Sequence, residues 1–438
     1  SLKKTAWVPF PAPGLPNKIM FFMVVVFHAK IFYFNQEDYR CATLWNILTF
    51  VPIMQQYISS NLSIGILGGG QLGKMLTDVT RKWDIRTHIL DANAGAPAKN
   101  SCYRFVQGDL MDYETVLNFG KEVDVLTIEI EHVNIDALYE LEKAGVLVYP
   151  KPATLDIIQN KQTQKAFFVA QKLPTAPFIS CENKKELLAH VSKGSFTFPF
   201  IWKAARFGYD GVGVKKIDDK AAIDALPDNP CIIEALVPIK QEIAIIAARS
   251  PDGEIALYPP VGMAFHPAAN QVEYVYFPAD ISKEMAKKAH EITHKLVRAW
   301  GHIGLLAVEF FVDNENNLLI NEVAPRPHNS GHLTIEGANT SQFEQHIRAI
   351  LNAPLGKTRF DQPAIMANVV GPQELIGTFV YEGVDHILNT PKAALHIYGK
   401  KTTKPQRKMG HITLTGADLN VIFKEIKDLK AKLKLKAN

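Results

Sequence analysis

The sequence predicts an α/β protein. A doubly wound parallel sheet comes first, a mixed β-rich region with helices second, and a small β-rich region with a closing helix last. Three observations carry this. From Leu62 to about Pro150, short apolar runs alternate with amphipathic stretches, the pattern of parallel strands joined by crossover helices. Between 161 and 355 a hairpin pattern with a glycine-rich tip precedes a long one-sided amphipathic stretch. From 356 to 438, three short strand-like runs lead into a lysine-rich helix pattern.

The elements follow in order. Residues 1–61 read as an N-terminal extension. Its apolar run "IMFFMVVVF" is too short for a bilayer, which needs about 20 residues. Lys3, Lys4 and Lys18 precede the run as they would in a signal peptide, but no small-residue cleavage site follows. Met54 lies eight residues before the first strand, and residues 1–53 are expected to add nothing to catalysis. Ile64–Leu67, Arg86–Leu90 and Val123–Ile130 read as buried strands, with "QLGKMLTDVTRKW" and "YETVLNFG" helical between them. "PFIWKAARFGYDGVGVKKI" reads as a hairpin. "KEMAKKAHEITHKLVRAW" places Met285, Ala289, Ile292, Leu296 and Trp300 on one stripe of a helix. Ala307–Val312 and Leu318–Glu322 read as strands joined by "DNENN". "AIMANVV", "HIYGK" and "HITLTG" are the last strands.

Composition narrows the function classes. With 438 residues, 47% hydrophobic and 21% charged, the chain can bury several cores and reads as two to four domains. A net charge of +4 and a pI near 8.6 give no argument for nucleic acid, and the lysines of the last helix read as a solvated face. Cys41, Cys102, Cys181 and Cys231 form no C-x-x-C pair, so a reducing, cytoplasmic setting and no membrane partner are expected.

Several motifs could carry chemistry. "GILGGGQLG" spells G-x-G-x-x-G through Gly68, Gly70 and Gly73, and Asp91 ends the next strand. Such a loop lets any phosphate approach backbone amides, so these residues alone leave a dinucleotide and another phosphate ligand both open. "HEITH" (His290, Glu291, His294) has zinc-protease spacing but no arranged third ligand, and an ordinary helix accounts for it. Glu309 and Glu322 each end an apolar strand run as inward carboxylates. Two buried carboxylates facing each other imply a cation, and oxygen-only ligation favours Mg2+ gripping phosphates; the alternative is a salt-bridged strand pair. "APRPHNSGH" then packs Arg326, His328, Asn329, Ser330 and His332 together, a density that suits anion and substrate recognition. Lys203 sits mid-strand and needs an anion, while Lys161 at a helix start also fits simple solvation. "GYDGVG" suits a flap, and Glu234 and Glu242 lie eight apart at the ends of apolar runs.

Taken together, the strand lysine, glycine-rich flap, E-x-x-V hinge and paired glutamates resemble the ATP-grasp fold. "GGGQLGKM", "TIEIEHV", "FGYDGVG", "NEVAPRPHNSGH" and "KMGHIT", in that order, resemble the N5-carboxyaminoimidazole ribonucleotide synthetase family of microbial purine biosynthesis. The resemblance spans about residues 62 to 430. It implies a Rossmann-like preATP-grasp domain (62–160), an ATP-grasp domain (161–355, flap subdomain about 175–240) and a C-terminal β-rich domain (356–438). It also implies an ATP-dependent ligase that joins bicarbonate to 5-aminoimidazole ribonucleotide through carboxyphosphate, with ATP and Mg2+, as a homodimer.

Residue roles are carried over position by position. Lys161 and Lys203 would hold ATP phosphates, Glu242 the ribose, and the backbone of Glu234, Ala235, Leu236 and Val237 adenine. Glu309 and Glu322 would ligate Mg2+. Tyr209, Asp210 and Gly211 would form the flap, and Arg326, His328 and Asn329 would face bicarbonate. Gly70, Gln71, Leu72, Glu131, Lys400 and Arg407 would bind the ribonucleotide, which turns the glycine loop from a dinucleotide site into a substrate site. The family flap reads G-G-Y-D-G and then a base; here Phe207 replaces a glycine and Val212 the base. Activity is expected to persist with weaker bicarbonate use.

Overall fold

A computed structural model describes residues 58–206, 213–267 and 271–438, and three further strands nearer the N-terminus. The chain divides into two compact units, Ser1–Gln55 and Gln56–Asn438. In the first, the strands Ala6–Pro11, Ile19–Phe27 and Lys30–Phe34 form an antiparallel sheet. Met54 lies outside the described residues.

The second unit opens with a five-stranded parallel sheet in the order Arg104–Gln107, Arg86–Asp91, Ser63–Leu67, Val125–Ile128, Leu147–Val148. Central strands of such a sheet are covered on both faces and so read as continuous apolar runs. Ile64, Ile66, Leu67, Ile89 and Leu90 are fully buried, as that requires. Helices Gln71–Lys82, Tyr113–Gly120 and Ile135–Lys143 connect the strands. Asp112 and Asn134 cap the latter two through their side chains, each satisfying an orphan helix-start amide.

A four-stranded antiparallel sheet follows, in the order Val214–Ile217, Phe200–Ala204, Cys231–Ala235, Phe178–Cys181. The largest sheet has nine strands. Its centre pairs Ile239–Arg249 with Gly304–Asp313, which pairs in turn with Leu318–Ala324 at the edge. Its other half runs through Val261–Phe265 and Val272–Phe277 to Ala364–Val370, Lys408–Thr415 and Ala393–Ile397. The regions read separately on either side of residue 355 thus share one continuous sheet.

The helix Lys283–Trp300 covers one face of that sheet. It is capped by the Ser282 side chain and ended by Gly301 at φ 60°, the left-handed conformation that glycine adopts without strain. Ala289, Ile292, Leu296 and Trp300 are buried as the stripe requires, joined by Thr293 and Val297, while Met285 is only partly buried. The zinc-like pattern on this helix does not converge. His294 and Glu291 are exposed, and His290 Nε2 lies 3.1 Å from the Tyr258 carbonyl.

Candidate active site

The loop after the first strand is built around a carboxylate. Gly68 sits at φ +104°, and Gly70 opens the helix Gln71–Lys82. The Gly70 and Gly73 amides both donate to Glu129, at 2.9 Å each, and Gly69 donates to Asp91 Oδ2 at 2.6 Å. A Cβ at Gly68 would stand 2.4 Å from Glu129 Cγ, and one at Gly70 2.7 Å from Glu129 Oε1. The glycines therefore admit Glu129. Burial pushes the Glu129 carboxyl above its ordinary range, against the pull of the two amides. Asp91, the acid that a dinucleotide ribose would need, accepts from the backbone amides of Gly69 and Asn93.

Of the ribonucleotide residues expected here, Gln71 is half-buried, Leu72 is buried, and the Gly70 amide is engaged. Glu131 is partly buried. Its carboxylate pairs with Arg326 Nε at 2.8 Å, and the glutamate that meets the glycine loop is Glu129, two residues earlier. The last region reaches the helix that follows this loop, since Lys74 donates to the Ile397 carbonyl at 2.8 Å. Lys400 donates to the Lys408 carbonyl at 2.6 Å. The Arg407 guanidinium turns to Thr402, 2.8 Å from its carbonyl oxygen.

The lysines converge on a buried carboxylate. Glu234 is 3% exposed, and it pairs with Lys165 at 2.5 Å and Lys203 at 2.6 Å. Lys165 also donates to Thr175. Burial alone would raise the Glu234 carboxyl, but the two ammoniums outweigh it and hold it low. Burial lowers Lys165 to about 8, opposed by Glu234. Glu234 was expected to contribute backbone to adenine; its side chain is in addition the counter-ion of the lysine pair. Lys161 opens the helix Lys161–Ala170, one turn before Lys165, and is partly exposed. Beyond Glu234, Leu236 is exposed while Ala235 and Val237 are partly buried.

Register gathers three further carboxylates. Glu309 lies opposite Glu322 and opposite Ala244. Strand side chains alternate between faces, so Glu242, two residues before Ala244, shares that face. Burial, then Glu322 and Glu242, raise Glu309 to about 8, and burial raises Glu242 to about 7 against Lys203. Glu309 Oε1 is buried and has no hydrogen-bond partner. One correction concerns Glu322, expected to point inward: it is exposed. The register shift between Glu309 and Phe310 marks a bulge on the edge strand, which re-aims its side chains and brings Asn321 Oδ1 to 3.4 Å from Lys203 Nζ.

Beside Glu309 stands the loop after that edge strand. His328 Nδ1 is 3.4 Å from Glu309 Oε1 and 2.9 Å from Ser330 Oγ. Burial, then Arg326 and Lys408, hold His328 well below its usual range, so it is neutral. Both side-chain polar atoms of buried Asn329 lack hydrogen-bond partners. Tyr209, Asp210, Gly211, Phe207 and Val212 lie outside the described residues. Among the described residues, no group of three or more His, Cys, Asp or Glu residues could itself hold a metal ion.

Three family models match the chain in order. They are the ribonucleotide synthetase preATP-grasp domain over 62–159, the ATP-grasp domain over 166–343, and the phosphoribosylaminoimidazole carboxylase C-terminal domain over 364–424. The N5-carboxyaminoimidazole ribonucleotide synthase of Brucella melitensis is 36% identical over 357 residues, covering 80% of this chain and 95% of that protein. The chain belongs to the N5-carboxyaminoimidazole ribonucleotide synthase family of ATP-grasp ligases.

The synthetase from Thermotoga maritima superposes with a TM-score of 0.79 at 36% identity, covering 86% of this chain and all of that one. The Aspergillus clavatus synthase, solved with ADP and 5-aminoimidazole ribonucleotide, gives 0.76 at 31%, covering 84% and 98%. The phosphoribosylaminoimidazole carboxylase of Candida albicans is 38% identical over 385 residues, 85% of this chain; the chain spans 66% of that longer protein's length.

Four polar residues of this synthase-family site escaped the sequence reading. Glu129 was hidden beside Glu131 in "EIE". Lys165 follows Lys161 by four residues, the spacing that puts both on one helix face. Lys408 follows Arg407 and, unlike it, acts electrostatically on Glu309 and His328. Asn321 precedes Glu322, and only the bulge turns it toward Lys203. Among the described residues, no helix is long and apolar enough to cross a membrane.

Proposed function

We propose that the chain carboxylates 5-aminoimidazole ribonucleotide with bicarbonate at the expense of ATP, giving N5-carboxyaminoimidazole ribonucleotide, ADP and phosphate. The observation that carries the reading is Glu309. It is a buried carboxylate whose Oε1 has no hydrogen-bond partner, paired in register with Glu322 and 3.4 Å from His328. Such a group needs a cation, and its setting beside a loop rich in Arg, His and Asn suits a reacting anion. The donor set is all oxygen and fits Mg2+; Glu309 and Glu322 would hold the ion, which when bound neutralises charge on the ATP phosphates.

The chain's own groups position and neutralise. Lys203 and Lys161 bind ATP phosphates. Glu234 keeps Lys203 and Lys165 in place, the segment Glu234–Val237 lines adenine, and Glu242 accepts from the ribose hydroxyls. A bicarbonate oxygen attacks the γ-phosphorus as the bond to the ADP oxygen breaks. The resulting carboxyphosphate releases CO2 and phosphate, and the exocyclic amine takes up CO2 and loses a proton. Arg326, His328 and Asn329 orient the transferring group. Neutral His328 can donate or accept a hydrogen bond there without adding charge. Tyr209, Asp210 and Gly211 close over the phosphates. Gln71, Glu131, Lys400 and Arg407, with the loop at Gly70 and Leu72, hold the ribonucleotide. A cytoplasmic homodimer belongs to the same reading.

The test is ADP release from Mg-ATP in bicarbonate buffer with and without the ribonucleotide. Strong stimulation, lost in Glu322→Ala, is expected. Stimulation instead by formate with glycinamide ribonucleotide would assign a sister reaction.

A further inference from the structure

The loop that carries Arg326, His328 and Asn329 is held from behind by one side chain. Gln342, the first residue of the helix Gln342–Ile350, is fully buried. Its Oε1 accepts from the His328 amide at 2.9 Å, and its Nε2 donates to the His328 carbonyl at 2.8 Å. One side-chain amide thus pairs with both backbone groups of one residue, as a neighbouring strand would. Nε2 lies also 2.9 Å from His332 Nδ1. The amide has two N–H groups, so one serves His328 and the other His332, whose Nδ1 must then accept. Burial, the first of the causes that hold His332 well below its usual range, favours the neutral ring this needs. The His328 amide and carbonyl set which way round the side-chain amide sits, and His332 takes its second N–H.

The rest of the loop is shaped to the same group. Thr334 Oγ1 donates to the Gly331 carbonyl at 2.5 Å and accepts from the Gln342 amide at 2.8 Å. A Cβ at Gly331 would lie 2.3 Å from Gln342 Oε1, so the "NSGH" glycine is the space that the clamp occupies. The His328 carbonyl also accepts from the Gly331 amide at 3.0 Å, but the His328 amide has Gln342 as its partner, and the His328 ring must stay beside Glu309 to serve the reaction.

We infer that Gln342 is a positioning residue for carboxyl transfer: by clamping the His328 backbone, with its second N–H held by His332, it fixes the imidazole beside Glu309. This rests on the reading under Proposed function for the reaction that it serves. Gln342 touches no substrate and acts only through His328.

Three variants test it: Gln342→Met removes both bonds at similar volume, Gln342→Glu keeps the acceptor but not the donor, and Gly331→Ala presses on the clamp from the loop side. Turnover with the ribonucleotide should fall about tenfold or more in Gln342→Met, since ångström-scale misplacement costs up to roughly a hundredfold. Gln342→Glu should fall between Gln342→Met and the parent. The KM for ATP should stay within about twofold in all three, a split that general loss of fold would not give. Hydrogen exchange of the His328 amide should quicken in Gln342→Met whatever the reaction is. Unchanged exchange at His328 would overturn the clamp. Faster exchange with unchanged turnover, in a parent that carboxylates, would overturn its role in the reaction. A parent that does not carboxylate would instead overturn the functional reading, with the exchange result still judging the clamp.

Discussion

Replacing Glu234 with glutamine removes one charge and almost no volume from the most buried ion cluster of the site. The Lys165 side chain is 3% exposed and that of Lys203 12%, and each lies within 2.6 Å of the Glu234 carboxylate. Both ammoniums would lose their counter-ion. Breaking a buried pair by deleting one partner costs about 3–5 kcal/mol, because an uncompensated charge is left behind. The pH dependence follows from Lys165, which burial lowers to about 8 from an ordinary 10.5. Between those values the unfolded chain holds the extra proton, so stability rises with pH across that window. Without Glu234 the folded pKa of Lys165 drops further, and the rise begins below pH 8. Urea unfolding of both proteins from pH 6 to 10 measures this. The expected result is a deficit of about 3–5 kcal/mol at pH 7 that narrows toward pH 10. A deficit under about 1 kcal/mol, the scale of an exposed pair, would refute the reasoning, as would one that widens as pH rises.

Glu309→Gln should abolish ribonucleotide-stimulated ADP release yet stabilise the metal-free protein. Between the ordinary 4.5 and about 8 the folded state holds the extra proton, so parent stability falls as pH rises through that window. The variant escapes this, and metal-free unfolding midpoints at pH 5 and pH 8 should diverge. Gly68→Ala forces a side chain into φ +104° with its Cβ 2.4 Å from Glu129 Cγ; a loss of about 1–3 kcal/mol and weaker ribonucleotide affinity by calorimetry are expected. Val212→Arg restores the base that the family flap carries and should lower the KM for bicarbonate, read from initial rates; an unchanged KM would remove the flap cation from the account.

Much of the fold was legible because its periodicities are local. The helix Lys283–Trp300 matches the span of its buried stripe, and the parallel strands announced themselves as apolar runs. What joined those pieces was not legible, because strand pairing between Val272–Phe277 and Ala364–Val370 is long-range and leaves no local mark. The site divides the same way. Glu309 and Glu322 stood out as carboxylates ending apolar strands, and the register set them opposite each other. The exposure of Glu322 was not legible, because alternation places it on the same face as buried Glu309. Glu129 and Lys165 were missed because each sits near a similar charge; burial separates Lys165 from Lys161, whereas Glu129 and Glu131 differ only in their partners. Gln342 carries no charge and lies on the next helix, so nothing in "TSQFEQH" points back to His328.

The central claim is that this site carries carbon from bicarbonate to a ribonucleotide amine at the cost of ATP. Incubating the protein with Mg-ATP, 5-aminoimidazole ribonucleotide and carbon-13 bicarbonate, and following the carbon spectrum, tests it directly. A new carbamate carbon resonance should grow in step with ADP and be absent in Glu322→Ala. ADP forming without that resonance, or the resonance growing without ATP, would contradict it.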